Sequence, residues 1–170
     1  MNFKNKISIS ILFLMSTFLS FAQNDIEGGV RLSLNLPSSS EASIDGLTDI
    51  SLGYFETMYL SENFALQGEI NFSRFKFEQK FGEGEGENVS TQEYDLSLIE
   101  IPLLAKYVIN DFHIAGGIQF TDFTSWLPVI DLSYNVDKFR FNARYISYGD
   151  AISDIGGISN ISFGVGYIIL

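Results

Sequence analysis

The sequence predicts an all-β fold, an eight-stranded antiparallel transmembrane β-barrel with up-and-down meander connections behind a cleaved signal peptide. Three observations carry this reading. First, the breaks between apolar/polar alternating stretches run short and long in turn. Short polar breaks fall at 61–63, 110–111 and 135–138. Longer Gly-, Ser- and acid-rich breaks fall at 37–49, 77–92, 121–125 and 149–157. A bacterial barrel has this asymmetry, with tight periplasmic turns and longer outer loops. Second, 16 Phe and 8 Tyr in 170 residues are more than one small core hides, but an outward apolar band with aromatic girdles uses them naturally. Third, after the N-terminal segment no apolar run approaches the ~20 residues of a spanning helix. The longest dense run, 99–105, is interrupted by Pro102.

The elements follow in order. Residues 1–22 have Lys4 and Lys6, then an apolar run over 7–21, then small Ser20 and Ala22 two apart. This is the layout of a signal peptide cleaved after Ala22, and it leaves 23–170 as one outer-membrane β-barrel domain. Period-two alternation then marks eight strands. The first, 27–36, sets Val30, Leu32, Leu34 and Leu36 against Arg31, Ser33 and Asn35. The second, 50–59, is ambiguous: Leu52, Tyr54, Glu56 and Met58 oppose Ser51, Gly53, Phe55, Thr57 and Tyr59. The third, 64–75, sets Phe64, Leu66, Ile70 and Phe72 against Ala65, Gln67, Glu69, Asn71 and Ser73.

The fourth strand, 94–109, sets Ile99, Ile101, Leu103 and Tyr107 against Glu100, Pro102 and Lys106. In the fifth, 112–120, Phe112, Ile114, Ile118 and Phe120 oppose His113, Ala115, Gly117 and Gln119. The sixth, about 127–134, sets Ile130, Leu132 and Tyr134 against Asp131 and Ser133. In the seventh, 139–148, Phe139, Phe141, Ala143 and Tyr145 oppose Arg140, Asn142 and Arg144. The last, 158–170, sets Ile161, Phe163, Val165, Tyr167 and Ile169 against Ser162, Gly164 and Gly166. Pro102 and Pro128 each remove a ladder donor, so a bulge is expected at one or both.

The polar faces collect Arg31, Glu69, Glu100, Lys106, Asp131, Arg140 and Arg144. Toward lipid, a midplane Arg or Lys costs about 2–4 kcal/mol. Inside, the charges can pair. The expectation is a structural charge network in which Arg31 and Arg144 bridge Glu69 and Glu100, with Gly117, Gly164 and Gly166 making room. Eight strands enclose space for side chains or one small ligand, so a plugged lumen is expected rather than a gated pore.

Charge and chemistry narrow the function. Once Lys4 and Lys6 are removed, 21 acidic residues face 8 basic ones, a net charge of −13. That excludes a nucleic-acid partner, which needs basic patches. The acids gather in the breaks, at Glu41, Asp45 and Asp49, at Glu78, Glu83, Glu85, Glu87 and Glu93, and at Asp150 and Asp154, where solvated loop tips are the plain reading. There is no cysteine, hence no disulfide, thiolate metal site or lipidated cysteine. The single histidine, His113, follows the tight break 110–111, so it is expected as a polar residue of the periplasmic rim. Base catalysis needs a partnered, oriented histidine, and no His/Cys cluster suggests a metal. The acidic repeat 82–87 resembles calcium ligation only superficially. No catalytic residue, cofactor or metal is expected.

The segment Leu98-Ile99-Glu100-Ile101-Pro102-Leu103-Leu104-Ala105-Lys106-Tyr107 resembles the PorT-like outer-membrane β-barrel family of Bacteroidetes, within the OmpA/OmpX-like eight-stranded barrels. Gly116-Gly117, Ala143-Arg144-Tyr145 and the leader ending Phe21-Ala22-Gln23 are similar too. The resemblance implies an outer-membrane barrel without catalytic residues and links the family's founding member to type IX secretion. Leu170 departs from the aromatic end common in such barrels, and the loops are short for the group.

The expected function is therefore a non-enzymatic barrel of the bacterial cell outer membrane with a structural or surface-interaction role. Its partners would be outer-membrane lipid and lipopolysaccharide, with a protein partner through the acidic loops. Three alternatives stand beside it. They are an accessory component of protein secretion, a soluble periplasmic lipocalin-like barrel with its apolar face inward, and a lipid-A-modifying enzyme dependent on His113.

Overall fold

Alternating side chains and polar breaks produce an all-strand chain. The structure, a computed structural model, describes residues 25–39, 44–46, 49–81, 90–121, 125–149 and 158–170. The strands are β1 (Ile26–Ser39), β2 (Ile44–Gly46), β3 (Asp49–Tyr59), β4 (Phe64–Phe81), β5 (Ser90–Ile109), β6 (Phe112–Thr121), β7 (Ser125–Val136), β8 (Phe139–Gly149) and β9 (Ile158–Ile168). All pairings are antiparallel. The order β1-β3-β4-β5-β6-β7-β8-β9 closes when β9 returns to β1, as in Leu34↔Phe163. Eight strands therefore make a closed barrel. Closure pairs the backbone between strands and leaves no edge in the wall, which hydrocarbon demands. The expected leader, 1–22, and the repeat 82–87 lie outside the described residues.

The side-chain period sorts the wall into two faces. Leu32, Leu52 and Ile70 point out and are 54%, 61% and 60% exposed, while Glu69, Asp131 and Arg144 point in and are 2–3% exposed. A soluble barrel buries its apolar face, and this one displays it. The lipocalin-like alternative is thereby overturned. Aromatic residues gather on the outer face near the short turns, with Phe64 against Tyr107 at 5.1 Å and Phe139 against Tyr167 at 5.5 Å between ring centroids. Trp126 and Phe120, 4.2 Å apart, stand toward the opposite end. These are the girdles of a membrane-spanning barrel.

The turns Asn110–Asp111 and Asp137–Lys138 are two residues long, and their first residues have positive φ, 54° and 52°. Asn and Asp tolerate that region better than other non-glycine residues. Asn135 was expected in the second of these breaks, but it pairs with Arg140 inside the ladder. Asp25 and Leu170 lie at the same end as these turns, tied to Tyr59 and Gly28 by backbone bonds of 3.1 and 3.2 Å.

Three expectations need correction, and one open reading is resolved. The break at 37–49 contains a ninth strand, β2, which pairs with β4 at Ile44↔Gln79. The break at 77–92 is narrower than expected, because β4 and β5 pair as far as Phe81↔Ser90. Neither proline carries a bulge. Register is the same on both sides of Pro102, with only a gap in the β4–β5 ladder between Gly68↔Leu103 and Asn71↔Glu100. Pro128 pairs with Ile118 and lies just beyond the last β7–β8 pair, Val129↔Ile146, where a missing donor costs nothing. The bulge lies instead in β8, between Ser147 and Gly149. Finally, the ambiguous second strand resolves with Ile50, Leu52 and Tyr54 outward and Ser51, Phe55 and Thr57 inward.

Candidate functional site

The inward side chains of the eight strands fill the lumen in three polar layers. The middle layer is the most charged. Arg31, Glu69, Asp131 and Arg144 each sit five residues from the short-turn end of β1, β4, β7 and β8, so the strands bring them to one height. Glu69 takes a fork from each arginine. Arg31 reaches it at 3.1 and 2.7 Å, and Arg144 at 2.8 and 2.6 Å. Gln67 and Asn71 donate to the same carboxylate at 2.5 and 3.1 Å. Arg144 Nε also donates to Asp131 Oδ2 at 3.0 Å, and Asn142 adds a bond to that oxygen at 3.1 Å. Two guanidiniums thus balance two carboxylates. Paired forks are the strongest geometry available to such groups.

The layer nearer the short turns is built on Arg140. It donates to Asn135 at 2.9 Å, Thr57 at 3.3 Å and Gln67 at 3.1 Å, and it is paired with Glu27. Its guanidinium lies over the Phe55 ring, 5.0 Å from the centroid. Phe55 fits inward because Gly29 and Gly166 leave space beneath it: a Cβ on either would come within 2.7 and 3.0 Å of the ring. Lys106 Nζ donates to Gln67 Oε1 at 2.7 Å. His113 is buried here, one residue from the turn end of β6, and among the described residues its Nδ1 has no hydrogen-bond partner. It was expected on the polar face near the periplasmic rim, and it lies beside the short turn with its ring buried in the barrel.

The third layer, toward the longer connections, centres on Glu100. Ser73 donates to it at 2.5 Å, and Gln119 and Tyr148 at 2.7 Å each. From Ser73 the contacts pass to Ser51 at 2.8 Å, then to Asn35, then to Asn160 at 3.2 Å. Glu100 is therefore not bridged by Arg31 or Arg144. Its strand position is nine residues from the turn end, four beyond the layer those arginines occupy.

All seven charged residues singled out from the sequence, Arg31, Glu69, Glu100, Lys106, Asp131, Arg140 and Arg144, are buried. Five of them form the arginine-centred layers, while Lys106 and Glu100 are held by neutral groups. Glu27, Gln67, Ser73, Gln119 and Tyr148 complete the layers and were not singled out. Their parity signals the inward face, but it does not say which polar residues meet. Of the glycines expected to make room, Gly166 lies beneath Phe55, and Gly164 lies beneath Asn142 and Ser33, each 2.4 Å from where its Cβ would be. Among the described residues no group of three His, Cys, Asp or Glu could hold a metal.

A family model described as outer membrane protein beta-barrel domain matches residues 21–122. The chain belongs to this outer-membrane β-barrel family. It is a protein of the bacterial outer membrane, and the outward apolar wall is the surface that lipid covers. Two solved structures share the barrel architecture. The family member described here is similar to Ail, the attachment invasion locus protein of Yersinia pestis, solved in complex with the heparin analogue sucrose octasulfate. Identity is 13% over 85% of this chain and 97% of that one, with a TM-score of 0.53. A second Ail structure gives 12% identity over 86% and 99%, TM-score 0.52. OprG from Pseudomonas aeruginosa gives 15% over 85% and 94%, TM-score 0.43. Comparison with curated proteins finds no match.

Proposed function

We propose that this barrel is non-enzymatic, has a structural or surface-interaction role, and is plugged by the layers in its lumen. The observation that carries the reading is the middle layer. Glu69 holds Arg31 and Arg144 at once, so side chains from β1, β4 and β8 meet across the interior. Eight strands leave little room beyond such side chains. The test is single-channel recording in planar bilayers. Wild-type protein is expected to carry no ion current, and a robust current overturns the plug.

Two considerations support the absence of catalysis. His113 lies inside the lumen beside the short turns, at the opposite end from the outer-leaflet lipid A. Its Nδ1 also lacks the orienting carboxylate that a general base needs. Hydrolase or acyltransferase activity lost on His113→Ala contradicts this reading.

The partners follow from the surface. The apolar band takes outer-membrane lipid, including the acyl chains of lipopolysaccharide, and the acidic breaks suit a protein partner. Ail was solved with a sulfated sugar. The net charge of −11 here makes a polyanion a poor ligand and favours a basic one. The secretion-accessory reading rests on the PorT-like resemblance at 98–107. It predicts loss of secreted cargo when the gene is deleted.

A further inference from the structure

Among the described residues, one buried cation of the lumen lacks a carboxylate partner. The middle layer balances, with Arg31 and Arg144 against Glu69 and Asp131, and Arg140 is paired with Glu27. That leaves Lys106, which is 1% exposed. Glu100 faces the same side of β5 but stands six residues away, about 20 Å at 3.3–3.4 Å per residue. An ammonium has three N–H donors, and this one reaches a single acceptor, Gln67 Oε1 at 2.7 Å. That oxygen already accepts from Thr57 at 2.8 Å and from Arg140 at 3.1 Å. A buried charge without compensation is unstable, so the group either sheds its proton or takes a partner.

Two orphaned groups stand beside it. His113 and Ser133 are paired across β6 and β7, and directly opposed side chains are about 4.5–5.5 Å apart. Both residues are buried, and neither His113 Nδ1 nor Ser133 Oγ has a hydrogen-bond partner among the described residues. Lys106 pairs with Ala115, two residues from His113, and a long side chain spans such a diagonal. Ala115 adds only a methyl group between Lys106 and Asp131. Asp131 itself is engaged by Arg144 and Asn142. We propose that Lys106, His113 and Ser133 bind a small monovalent anion of chloride's size at the short-turn end of the lumen. The ammonium supplies the opposite charge, and the Nδ1–H and Oγ–H groups complete the shell. Lys106 and Ser133 lie three residues from the short-turn ends of β5 and β7, and His113 lies one residue from that of β6. That end is the shorter way in. A single unmatched positive charge calls for a monovalent ion. The proposal goes beyond the plug but rests on it, because a water-filled lumen would hydrate the ammonium and need no ion.

The test uses the full chain folded in neutral detergent micelles, with chloride exchanged for gluconate at constant ionic strength. Circular dichroism of the strands reads the melting temperature. Above the dissociation constant, each tenfold rise in chloride should raise it by about 3–5 °C. Lys106→Met keeps the length of the side chain without its charge, and its melting temperature should not respond to chloride. Ser133→Ala keeps the charge and loses one donor, so it should need about tenfold more chloride for the same rise. It carries the test if Lys106→Met does not fold. Equal melting in chloride and gluconate overturns the proposal, because water and an uncharged lysine then satisfy the site. An unchanged chloride response in either variant also overturns it, since the effect is then a general one of salt. Planar-bilayer recording in the same two salts separates this from the reading beneath it. Absence of both current and chloride response defeats only the anion site. A current defeats the plug and, with it, the dry site that the anion needs.

Discussion

At the residue scale, the middle layer and the glycines make the sharpest statements. Glu69 accepts from Arg31, Arg144, Gln67 and Asn71. Glu69→Ala leaves two buried guanidiniums facing each other, and removing one partner of a buried pair costs about 3–5 kcal/mol. Urea unfolding in lipid or detergent should show that loss. Arg144→Leu should likewise lower the temperature at which the folded gel band disappears, with single-channel current still absent. The adjacent glycines Gly116 and Gly117 give a cleaner contrast. A Cβ at Gly117 would lie 2.0 Å from the Leu103 carbonyl oxygen, whereas one at Gly116 meets nothing within 4 Å. Gly117→Ala should therefore destabilise by about 2 kcal/mol or more, the scale of an overpacked site. Gly116→Ala should unfold at the wild-type urea concentration to within about 0.5 kcal/mol. Equal midpoints for the two variants contradict this assignment. The sequence marked Gly117 as a small inward residue by parity. The carbonyl that makes it indispensable belongs to β5, and nothing in the β6 sequence announces it.

At the element scale, alternation was a good guide to where strands run and which way they face. It failed where a neighbour changes the rule. β3 looked ambiguous because Phe55 breaks the polar face. It points inward only because Gly29 on β1 and Gly166 on β9 clear a space for it. No single strand contains that information. The prolines misled for a related reason. Whether a missing N–H matters depends on which side the partner strand lies, and at Pro128 the β7–β8 ladder has already ended, at Val129↔Ile146. The acidic break at 77–92 looked like loop because Glu, Gly and Lys carry weak strand signal, yet β4 and β5 support each other there. The facing of β3 can be tested with spin labels. Leu52→Cys should report a lipid environment and Ser51→Cys a buried polar one, and the reverse pattern contradicts the assignment. The tight turns give a second test. Asp137 has φ of 52°, so Asp137→Val should slow refolding or cost about 1–2 kcal/mol, while Asp137→Gly should be neutral or better.

At the scale of the whole molecule, the barrel was legible in the sequence and the lumen only partly so. Eight amphipathic stretches and alternating connection lengths require closure, because open edges cannot survive in lipid. Which charges meet inside is a matter of height along strands distant in sequence. Arg31 and Arg144 were expected on Glu69 and Glu100, but Glu100 lies a layer above them and takes Ser73, Gln119 and Tyr148 instead. The folded barrel should migrate faster than its boiled form on a semi-native gel, and failure to do so speaks against a closed barrel. Residues 1–22 are proposed to be removed on export, so N-terminal sequencing of the outer-membrane form should begin at Gln23. The three lumen layers have one further consequence. Arg31, Lys106, Arg140 and Arg144 carry four positive charges, and Glu27, Glu69, Glu100 and Asp131 carry four negative ones. With these groups ionised, the stack of charge crossing the bilayer sums to zero. An electric potential does work only on charge that it can move. The charges are not level, because Glu100 stands toward the longer connections while Arg140 and Lys106 outweigh Glu27 near the short turns. The interior is therefore a dipole along the bilayer normal. A voltage positive on the side of the longer connections should raise the melting temperature of the barrel in polarised vesicles, while the opposite polarity lowers it.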